Sequence, residues 1–365
     1  MQTMTADEIR RSAAYYTDAI HTLADRPLRL MEVCGTHTVS IFKAGIRQLL
    51  PESVELVSGP GCPVCVTPNS YLDTAIAYSR QADVIITTFG DMLKVPGSTS
   101  SLMAEKAAGA DIRIVYSPLD SLDIARANGQ KKVIFLAVGF ETTAPTAAAT
   151  VLAAAEAKTD NFFLLSAHKL VPPALRALLN DPSTRVDGFL LPGHVSAIIG
   201  EEPYRFLGEE YGTPAVIAGF DALDILQAVY RLVSQIHDRE PALENCYRRI
   251  VRPAGNPAAL SVLDRVYQSA PADWRGIGVI EGSGLNLRPD YGRYDARRVL
   301  PVTVEPLQEH RGCRCGEVLR GYIKPQECSL FGKLCTPEHP IGACMVSVEG
   351  TCAAWHRYGA GRWQA

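Results

Sequence analysis

The chain has 365 residues, of which 47% are hydrophobic and 21% are charged, and its formal net charge at pH 7 is -3. This composition is typical of a globular protein with two or three domains, and the charge argues against a nucleic-acid or anionic-membrane binder. The first residues lack the apolar core of a signal peptide, and no apolar run reaches the roughly 18 residues of a membrane span. We therefore expect a cytoplasmic protein.

The N-terminal segment predicts a helix, because Thr5 and Glu8 have the spacing of a capping box. From about residue 28 to residue 240, short β-rich runs alternate with helical segments. Most of these runs are apolar nearly throughout, as expected of strands that are buried on both faces. The predicted strands are LRLMEV (28–33), VELV (54–57), DVIITT (83–88), DIRIVY (111–116), KVIFLAV (132–138), NFFLLSA (161–167), GFLL (188–191) and PAVIA (214–218).

This alternation predicts an α/β fold with parallel sheets and helices on both faces. The number of strands suits two successive parallel-sheet α/β domains with flanking helices better than a single sheet. We expect the N-terminal helix (1–27) to pack on the C-terminal region. The other predicted divisions are a first α/β domain (28–125), a second α/β domain (126–240), and a linker with an irregular cysteine-rich region (241–365).

The segments that follow the predicted strands are rich in reactive side chains. In open α/β sheets, ligands bind beyond the carboxyl ends of the strands. Loops at this position also favour Gly and Pro for structural reasons, but those reasons do not account for the other residue types. We interpret the clustering as a candidate functional site, formed from Cys34, His37, Cys62, Cys65, Glu141, His168 and His194.

The sequence GPGCPVC (59–65) allows several kinds of site. The phosphate-loop pattern is absent, so a nucleotide site is disfavoured. The chain has no second CxxC, and a structural zinc site normally needs two such pairs. Cys62 and Cys65 are therefore predicted to form a redox pair, whose thiol pKa a positive charge from Lys169 or a protonated His37 would lower, or to act as soft metal ligands.

Cys34 directly follows the first predicted strand. A single Cys in this position is usually a small core residue. The surrounding sequence CGTHT (34–38) places His37 three residues further on, which favours a reactive role instead. The parallel arrangement makes it sterically reasonable that Cys34 and the CPVC pair share one sheet edge.

Six cysteines lie between residues 313 and 352. In a reducing compartment, structural disulfides are disfavoured, so metal ligation or redox chemistry is the better explanation. A four-cysteine iron–sulfur cluster would leave two thiols over, and so would a zinc site. Their spacing does not separate these alternatives. Cys246, in ALENCYRRI, is expected to be an ordinary partly buried residue on a helix.

Taken together, CGTHT, GPGCPVCVTP, GFETTAPT, LPGHVSAIIG and the six-cysteine segment resemble the HypD family of hydrogenase maturation factors. The resemblance covers essentially the whole chain. It implies a scaffold for the Fe(CN)2(CO) fragment of the [NiFe]-hydrogenase active site, with redox activity and a [4Fe-4S] cluster in the C-terminal region. The implied partners are HypC, a small chaperone; HypE, which donates cyanide with HypF; and, indirectly, the hydrogenase large subunit.

The resemblance also implies roles for individual residues. Cys34 would be an iron ligand with His37 beside it, and Cys62 and Cys65 would form the dithiol/disulfide pair close to the metal. Glu141, in GFETTAPT, belongs to the same candidate catalytic set. Similarity of the tail to ferredoxin:thioredoxin reductase implies a cluster and a separate redox pair. The cluster ligands would be Cys313, Cys328, Cys335 and Cys352, and the redox pair would be Cys315 and Cys344.

Two other functions remain open on the sequence. The same cysteines would suit an iron–sulfur-dependent protein-disulfide reductase, or a binding module that zinc stabilises. The sequence does not show the source of CO, the order of ligand attachment, the electron donor, or whether ATP is hydrolysed.

Overall fold

The structure is a computed structural model that describes residues 5–307 and 310–359, so the ends of the predicted first and last regions lie outside the described residues. All eight predicted strands are confirmed, and a further three follow them. The strands are β1 Leu28–Glu32, β2 Val54–Ser58, β3 Val84–Thr88, β4 Ile112–Ile114, β5 Lys132–Ala137, β6 Phe162–Ser166, β7 Gly188–Pro192, β8 Ala215–Ala218, β9 Leu243–Asn245, β10 Tyr267–Trp274 and β11 Gly278–Leu287.

Helices connect the parallel strands, as the alternating pattern predicts. No helix in the described ranges is both long and apolar enough to cross a membrane. The helices are α1 Ala6–Leu23, α2 Gly35–Lys43, α3 Ile46–Leu49, α4 Pro63–Val66, α5 Asn69–Ser79, α6 Leu102–Ala107, α7 Pro118–Ala127, α8 Ala144–Glu156, α9 Val171–Asn180, α10 Gly193–Ile199, α11 Phe206–Glu209, α12 Ala222–Asp238, α13 Pro257–Val266, α14 Ala296–Val299, α15 Cys315–Leu319 and α16 Thr351–Ala354.

Two parallel sheets form the centre of the molecule. The first sheet has the strand order β2-β1-β7-β8-β9, and the second sheet has the order β4-β3-β5-β6. The chain therefore starts the first sheet, builds the second, and then returns to complete the first. The prediction of two successive domains, each with its own sheet, is therefore wrong. A division at residue 125 would separate β4 from β5, which belong to the same sheet. Alternation of strands and helices identifies parallel strands, but it does not specify which strands are neighbours.

The N-terminal helix forms as predicted, and the capping box between Thr5 and Glu8 is present. Its main packing partner is α12, with the ring of Tyr230 lying 5.9 Å from Tyr15 and 5.5 Å from Tyr16, measured between centroids. The expectation that this helix packs on the C-terminal region is therefore corrected. The amphipathic pattern of α1 showed a buried face but not the surface that covers it.

Strands β10 and β11 form an antiparallel hairpin that the sequence analysis missed. Only some of its residues are buried, and its register shifts between Ala270 and Ala272, so the apolar pattern of a strand is weak. The hairpin attaches beyond the carboxyl end of β6, where the Ser166 hydroxyl donates a hydrogen bond to the Leu285 carbonyl at 2.7 Å. The buried indole of Trp274 donates to the Ser283 hydroxyl at 2.8 Å.

The region 241–365 was predicted to be irregular, and this is so only for residues 310–359, because α13 and the β10–β11 hairpin lie before them. The helical segments of residues 310–359, which are α15, α16 and short 3-10 and π turns, have at most five residues each. The buried residues of this cysteine-rich region nevertheless belong to the same apolar core as residues of both sheets. The region is therefore an integral part of the fold.

Candidate functional site

Two neighbouring turns at the carboxyl edge of the first sheet carry the first three predicted cysteines. β1 and β2 pair in parallel with Glu32 opposite Ser58, so the residues that follow them emerge side by side. Cys34 caps α2, and the Gly35 N–H donates a hydrogen bond to the Gly61 carbonyl at 3.1 Å. A Cβ on Gly61 would lie 2.3 Å from the backbone nitrogen of Cys34, so only Gly allows this approach.

The CPVC segment forms the one-turn helix α4, with Cys62 at its N-cap. Cys62 and Cys65 form a disulfide, and both are buried. The Cys65 sulfur lies 4.0 Å from the carbonyl oxygen of Ala343, the residue before Cys344. The disulfide therefore lies between the turn that carries Cys34 and the C-terminal cysteine-rich region.

His37 is buried on α2 and is electrically neutral. Its Nε2 donates a hydrogen bond to the Gly219 carbonyl at 2.8 Å, whereas Nδ1 has no partner among the described residues. Burial lowers the pKa of His37 to about 4. The suggestion that a protonated His37 activates the CPVC thiols is therefore wrong at neutral pH.

Phe220 connects two of the predicted histidines. The ring of His37 stacks on it with a centroid distance of 4.6 Å, and the exposed ring of His194 stacks on it at 4.0 Å. The two rings belong to α2 and α10, which follow neighbouring strands of the first sheet. Phe220 follows the end of β8, and no sequence pattern assigned a role to its ring.

Glu349 contacts the Cys34 turn from the C-terminal region. The Thr36 hydroxyl donates a hydrogen bond to Glu349 Oε1 at 2.7 Å, and the Glu349 backbone fills the space where Gly35 would carry a Cβ. Burial raises the pKa of Cys34 to about 11, the N–H of His37 opposes that rise, and the Glu349 carboxylate adds to it. The Cys34 thiol is thus protonated at neutral pH. No sequence signal pointed to Glu349.

Glu141 lies in the turn after β5, in the second sheet. Its Oε1 accepts a hydrogen bond from the Val171 N–H at 2.9 Å, and its Oε2 has no partner in the described ranges. Burial raises its pKa from the ordinary 4.5 to about 7. The buried Tyr204 interacts electrostatically with both Glu141 and Cys34. Tyr204 is therefore within electrostatic range of both side chains, which follow strands of different sheets.

Two further predicted residues, His168 and Lys169, follow β6. Burial lowers the pKa of His168 to about 3, and its ring contacts Tyr267 edge-on at 5.9 Å. Burial lowers the pKa of Lys169 to about 8, and its ammonium donates to the Asp273 carbonyl at 2.6 Å. Both side chains therefore pack on the β10–β11 hairpin, and Glu141 and Tyr267 line an apolar cavity of about 570 Å³ beside it.

Several thiols of the C-terminal array are in mutual contact. The Cys313 thiol donates a hydrogen bond to the Cys315 sulfur at 3.4 Å, and Cys315 also shares hydrogen bonds with Cys344 and Cys352. The contact with Cys313 above all, then that with Cys344 and burial, raise the pKa of Cys315 well above its usual range, whereas the contact with Cys352 lowers it. Cys335 interacts electrostatically with Cys352 and accepts a hydrogen bond from the backbone N–H of Ile341 at 3.4 Å.

The donor chemistry of this array fits an iron–sulfur cluster. Closely grouped, buried thiols offer soft ligands, and N–H groups directed at sulfur stabilise the thiolate form. Within residues 5–307 and 310–359, however, no three His, Cys, Asp or Glu side chains converge in the way the ligands of one metal ion do. Cys328 lies within electrostatic range of Arg314, whose pKa is raised chiefly by its hydrogen bond to Glu317. The contacts among the thiols do not distinguish which four of the six cysteines would bind a cluster.

Cys246 differs from its predicted setting. It lies in the loop after β9 and not on a helix, although it is partly buried as expected. Burial raises its pKa to about 11. Charged residues surround Cys246, so this segment lacks the apolar run that predicts a strand. The short edge strand β9 was therefore not recognised from the sequence.

We predict that Glu141→Gln changes the pH dependence of the unfolding free energy. The pKa of Glu141 is about 7 in the folded state and 4.5 ordinarily, so its protonated form stabilises the fold below pH 4.5. This contribution is lost as the pH rises to 7, and the wild type should lose up to about 3 kcal/mol relative to the variant. Urea denaturation of both proteins from pH 5 to pH 8 measures this difference, and parallel profiles would contradict the assignment.

Comparison with known proteins identifies the family. The HypD family model, described as "Hydrogenase formation hypA family", matches residues 11–359. The chain is 47% identical to the hydrogenase maturation factor HypD of Rhodobacter capsulatus over 354 residues, which cover 96% of this chain and 94% of that protein. It is 48% identical to HypD of Escherichia coli (strain K12) over 336 residues, covering 92% and 90%. These matches confirm the resemblance seen in the motifs, and the chain belongs to the HypD family of hydrogenase maturation factors.

Proposed function

We propose that this chain is a scaffold on which the Fe(CN)2(CO) fragment of the [NiFe]-hydrogenase active site is assembled. One observation carries the proposal. Cys34 and the Cys62–Cys65 disulfide lie on adjacent turns at the carboxyl edge of the first sheet, held together by the contact between Gly61 and the Cys34 backbone. A metal ligand and a redox-active pair would thus share one site.

In this proposal the iron substrate binds at Cys34. Low-spin Fe(II) that carries cyanide and CO favours soft, strongly donating thiolates. Because the pKa of the free Cys34 thiol is about 11, iron binding has to displace its proton. The backbone N–H groups of His37 and Thr36 lower that pKa and would stabilise the thiolate once it forms.

HypC is the proposed partner at the Cys34 turn. Cys34 is only partly buried, and the exposed His194 ring lies on the same edge of the first sheet. The segments GFETTAP and PGHVS contain a single charged residue, Glu141, which is buried, so they suit a contact surface around the metal. HypC would dock over Cys34 and contribute a second thiolate, HypE with HypF would supply cyanide, and the hydrogenase large subunit would receive the product.

The C-terminal array would hold a [4Fe-4S] cluster through Cys313, Cys328, Cys335 and Cys352. When bound, such a cluster supplies one-electron transfer. Cys315 and Cys344 would then be the redox pair, and their thiols are close enough to share a hydrogen bond, as each also does with Cys352. The contact of Ala343 with Cys65 places the segment of Cys344 against the CPVC disulfide.

The structure disfavours the alternative of a protein-disulfide reductase acting through the CPVC pair. Thiol–disulfide exchange requires a sulfur of the partner protein to reach one of the two sulfurs along the S–S axis. Cys62 is 3% exposed and Cys65 is 0% exposed, so a protein substrate cannot reach either sulfur in this conformation. A small group bound at Cys34 is the better fit.

We predict that Cys34→Ala abolishes iron retention in the complex with HypC and leaves the fold intact, because it removes the proposed ligand from a turn. The measurement is iron content together with the infrared bands of iron-bound cyanide and CO. Cys246→Ala is a matched control, since Cys246 is also partly buried and also has a pKa of about 11. Undiminished cyanide bands in the Cys34 variant would refute the iron site.

A second prediction concerns the C-terminal array. Serine at any of the four proposed ligands should lower iron and sulfide content and visible absorption of anaerobically purified protein, since an alkoxide is a poorer soft ligand than a thiolate. Serine at Cys315 or Cys344 should leave the cluster in place. Full absorption in all four ligand variants would refute the ligand set, whereas cluster loss only at Cys315 or Cys344 would exchange the two assignments.

A third prediction concerns the CPVC disulfide. Under reducing conditions the peptide containing Cys62 and Cys65 should gain two alkylatable thiols, without release of zinc. Alanine at either position should block hydrogenase maturation and leave the C-terminal cluster intact, because neither residue is a cluster ligand in the proposal. Stoichiometric zinc at these positions, with no change in the thiol count on reduction, would show a metal site instead.

A further inference from the structure

Arg47, on the short helix α3, has an incompletely satisfied guanidinium. Its Nη1 donates a hydrogen bond to the Leu56 carbonyl at 2.5 Å. Its Nε and Nη2 are buried and have no hydrogen-bond partner within the described part of the chain. These two N–H groups form the edge of a guanidinium that binds a carboxylate or a phosphate through parallel hydrogen bonds.

No carboxylate of the described residues forms an ion pair with Arg47. Glu32 and Glu55 interact with it only at longer range, and both are engaged elsewhere. Their oxygens accept hydrogen bonds or ion pairs from Thr38, Ser58, Arg29 and Lys324. The rings of Phe42 and Trp355, at 5.0 and 5.2 Å from the guanidinium carbon, offset part of the cost of burying the charge. An unpaired buried cation is otherwise strongly destabilising.

A cavity of about 410 Å³ adjoins this residue, and Arg47 and Trp355 belong to its lining. Three cations, Arg29, Arg47 and Lys324, face it against two carboxylates, Glu52 and Glu55, which leaves one net positive charge. A second cavity of about 330 Å³ shares part of the same lining. Small-molecule sites have volumes of roughly 300 to 1,000 Å³, so the space suits a small ligand.

We propose that this cavity binds a small oxyanion, a phosphate or carboxylate group of a small molecule, through the Nε–Nη2 edge of Arg47. The anion would accept hydrogen bonds from these two N–H groups and neutralise the buried charge of Arg47. Because both nitrogens are covered, the Trp355 ring has to move when the anion enters. This site uses none of the cysteines and is independent of the proposed iron chemistry.

The test is a titration of the full chain with sodium phosphate, and separately with sodium acetate, at an ionic strength kept constant with sodium chloride. Tryptophan fluorescence should change saturably with at least one of the two anions, and Trp355→Phe should remove the change. Isothermal titration calorimetry measures the affinity of each anion independently of tryptophan fluorescence. Arg47→Lys, which keeps the charge but loses the paired donors, should weaken binding about tenfold or more.

Arg176→Lys is the matched control, because Arg176 also lies over two aromatic rings but is paired with Glu210. This variant should bind the anion as the wild type does. Saturation by phosphate, by acetate or by both, with a selective loss in Arg47→Lys, supports the site, and saturation by one anion alone identifies the preferred ligand chemistry. No saturable binding of either anion to the wild type, or equal binding by wild type and Arg47→Lys, would overturn the proposal.

Discussion

The pairing of β1 with β2 on one side and with β7 on the other is the constraint on which the candidate site depends. Parallel neighbours end at the same edge of a sheet, so this pairing brings the Cys34 turn between the CPVC turn and the helix that carries His194. Gly61 lies so close to the Cys34 backbone that no side chain fits at position 61. Residues far apart in the chain are thus held next to Cys34 by the backbone, before any side chain contributes.

Burial determines the charge of His37 and Cys34 at this edge and of Glu141, which follows a strand of the second sheet. It lowers the pKa of His37 to about 4 and raises those of Cys34 and Glu141 to about 11 and about 7. At neutral pH His37 and Cys34 are therefore uncharged, and Glu141 is close to half-protonated. The uncharged forms of His37 and Cys34 are the least costly way to keep these two groups out of water when no cation is bound. A metal cation that binds Cys34 would favour the thiolate over the thiol, because the metal–thiolate bond replaces the proton that burial retains.

Local features of this fold, such as the positions of strands, could be predicted from the sequence, whereas contacts between distant segments of the chain could not. Eight of the nine strands in the two parallel sheets, and the reactive residues after them, were predictable, because apolar runs and strand-end positions depend only on neighbouring residues. The interleaving of the two sheets was not, since it depends on which strands pair. The β10–β11 hairpin was hidden by its half-exposed composition. Glu349 and Phe220 were missed because their roles arise from contacts with Thr36 and with the two histidines, which no spacing in the chain reveals.

The C-terminal region connects the two sets of thiols physically. Between Ala343 and Glu349 the chain first contacts the Cys65 sulfur and then contacts the Cys34 turn. Cys344 lies within this segment, and its thiol is hydrogen-bonded to Cys315 and Cys352. Formation of a disulfide at Cys344 would therefore move a segment that touches both the CPVC disulfide and the Cys34 turn. Since close-packed interiors transmit such displacements, we expect a disulfide at Cys344 to alter the packing at both places.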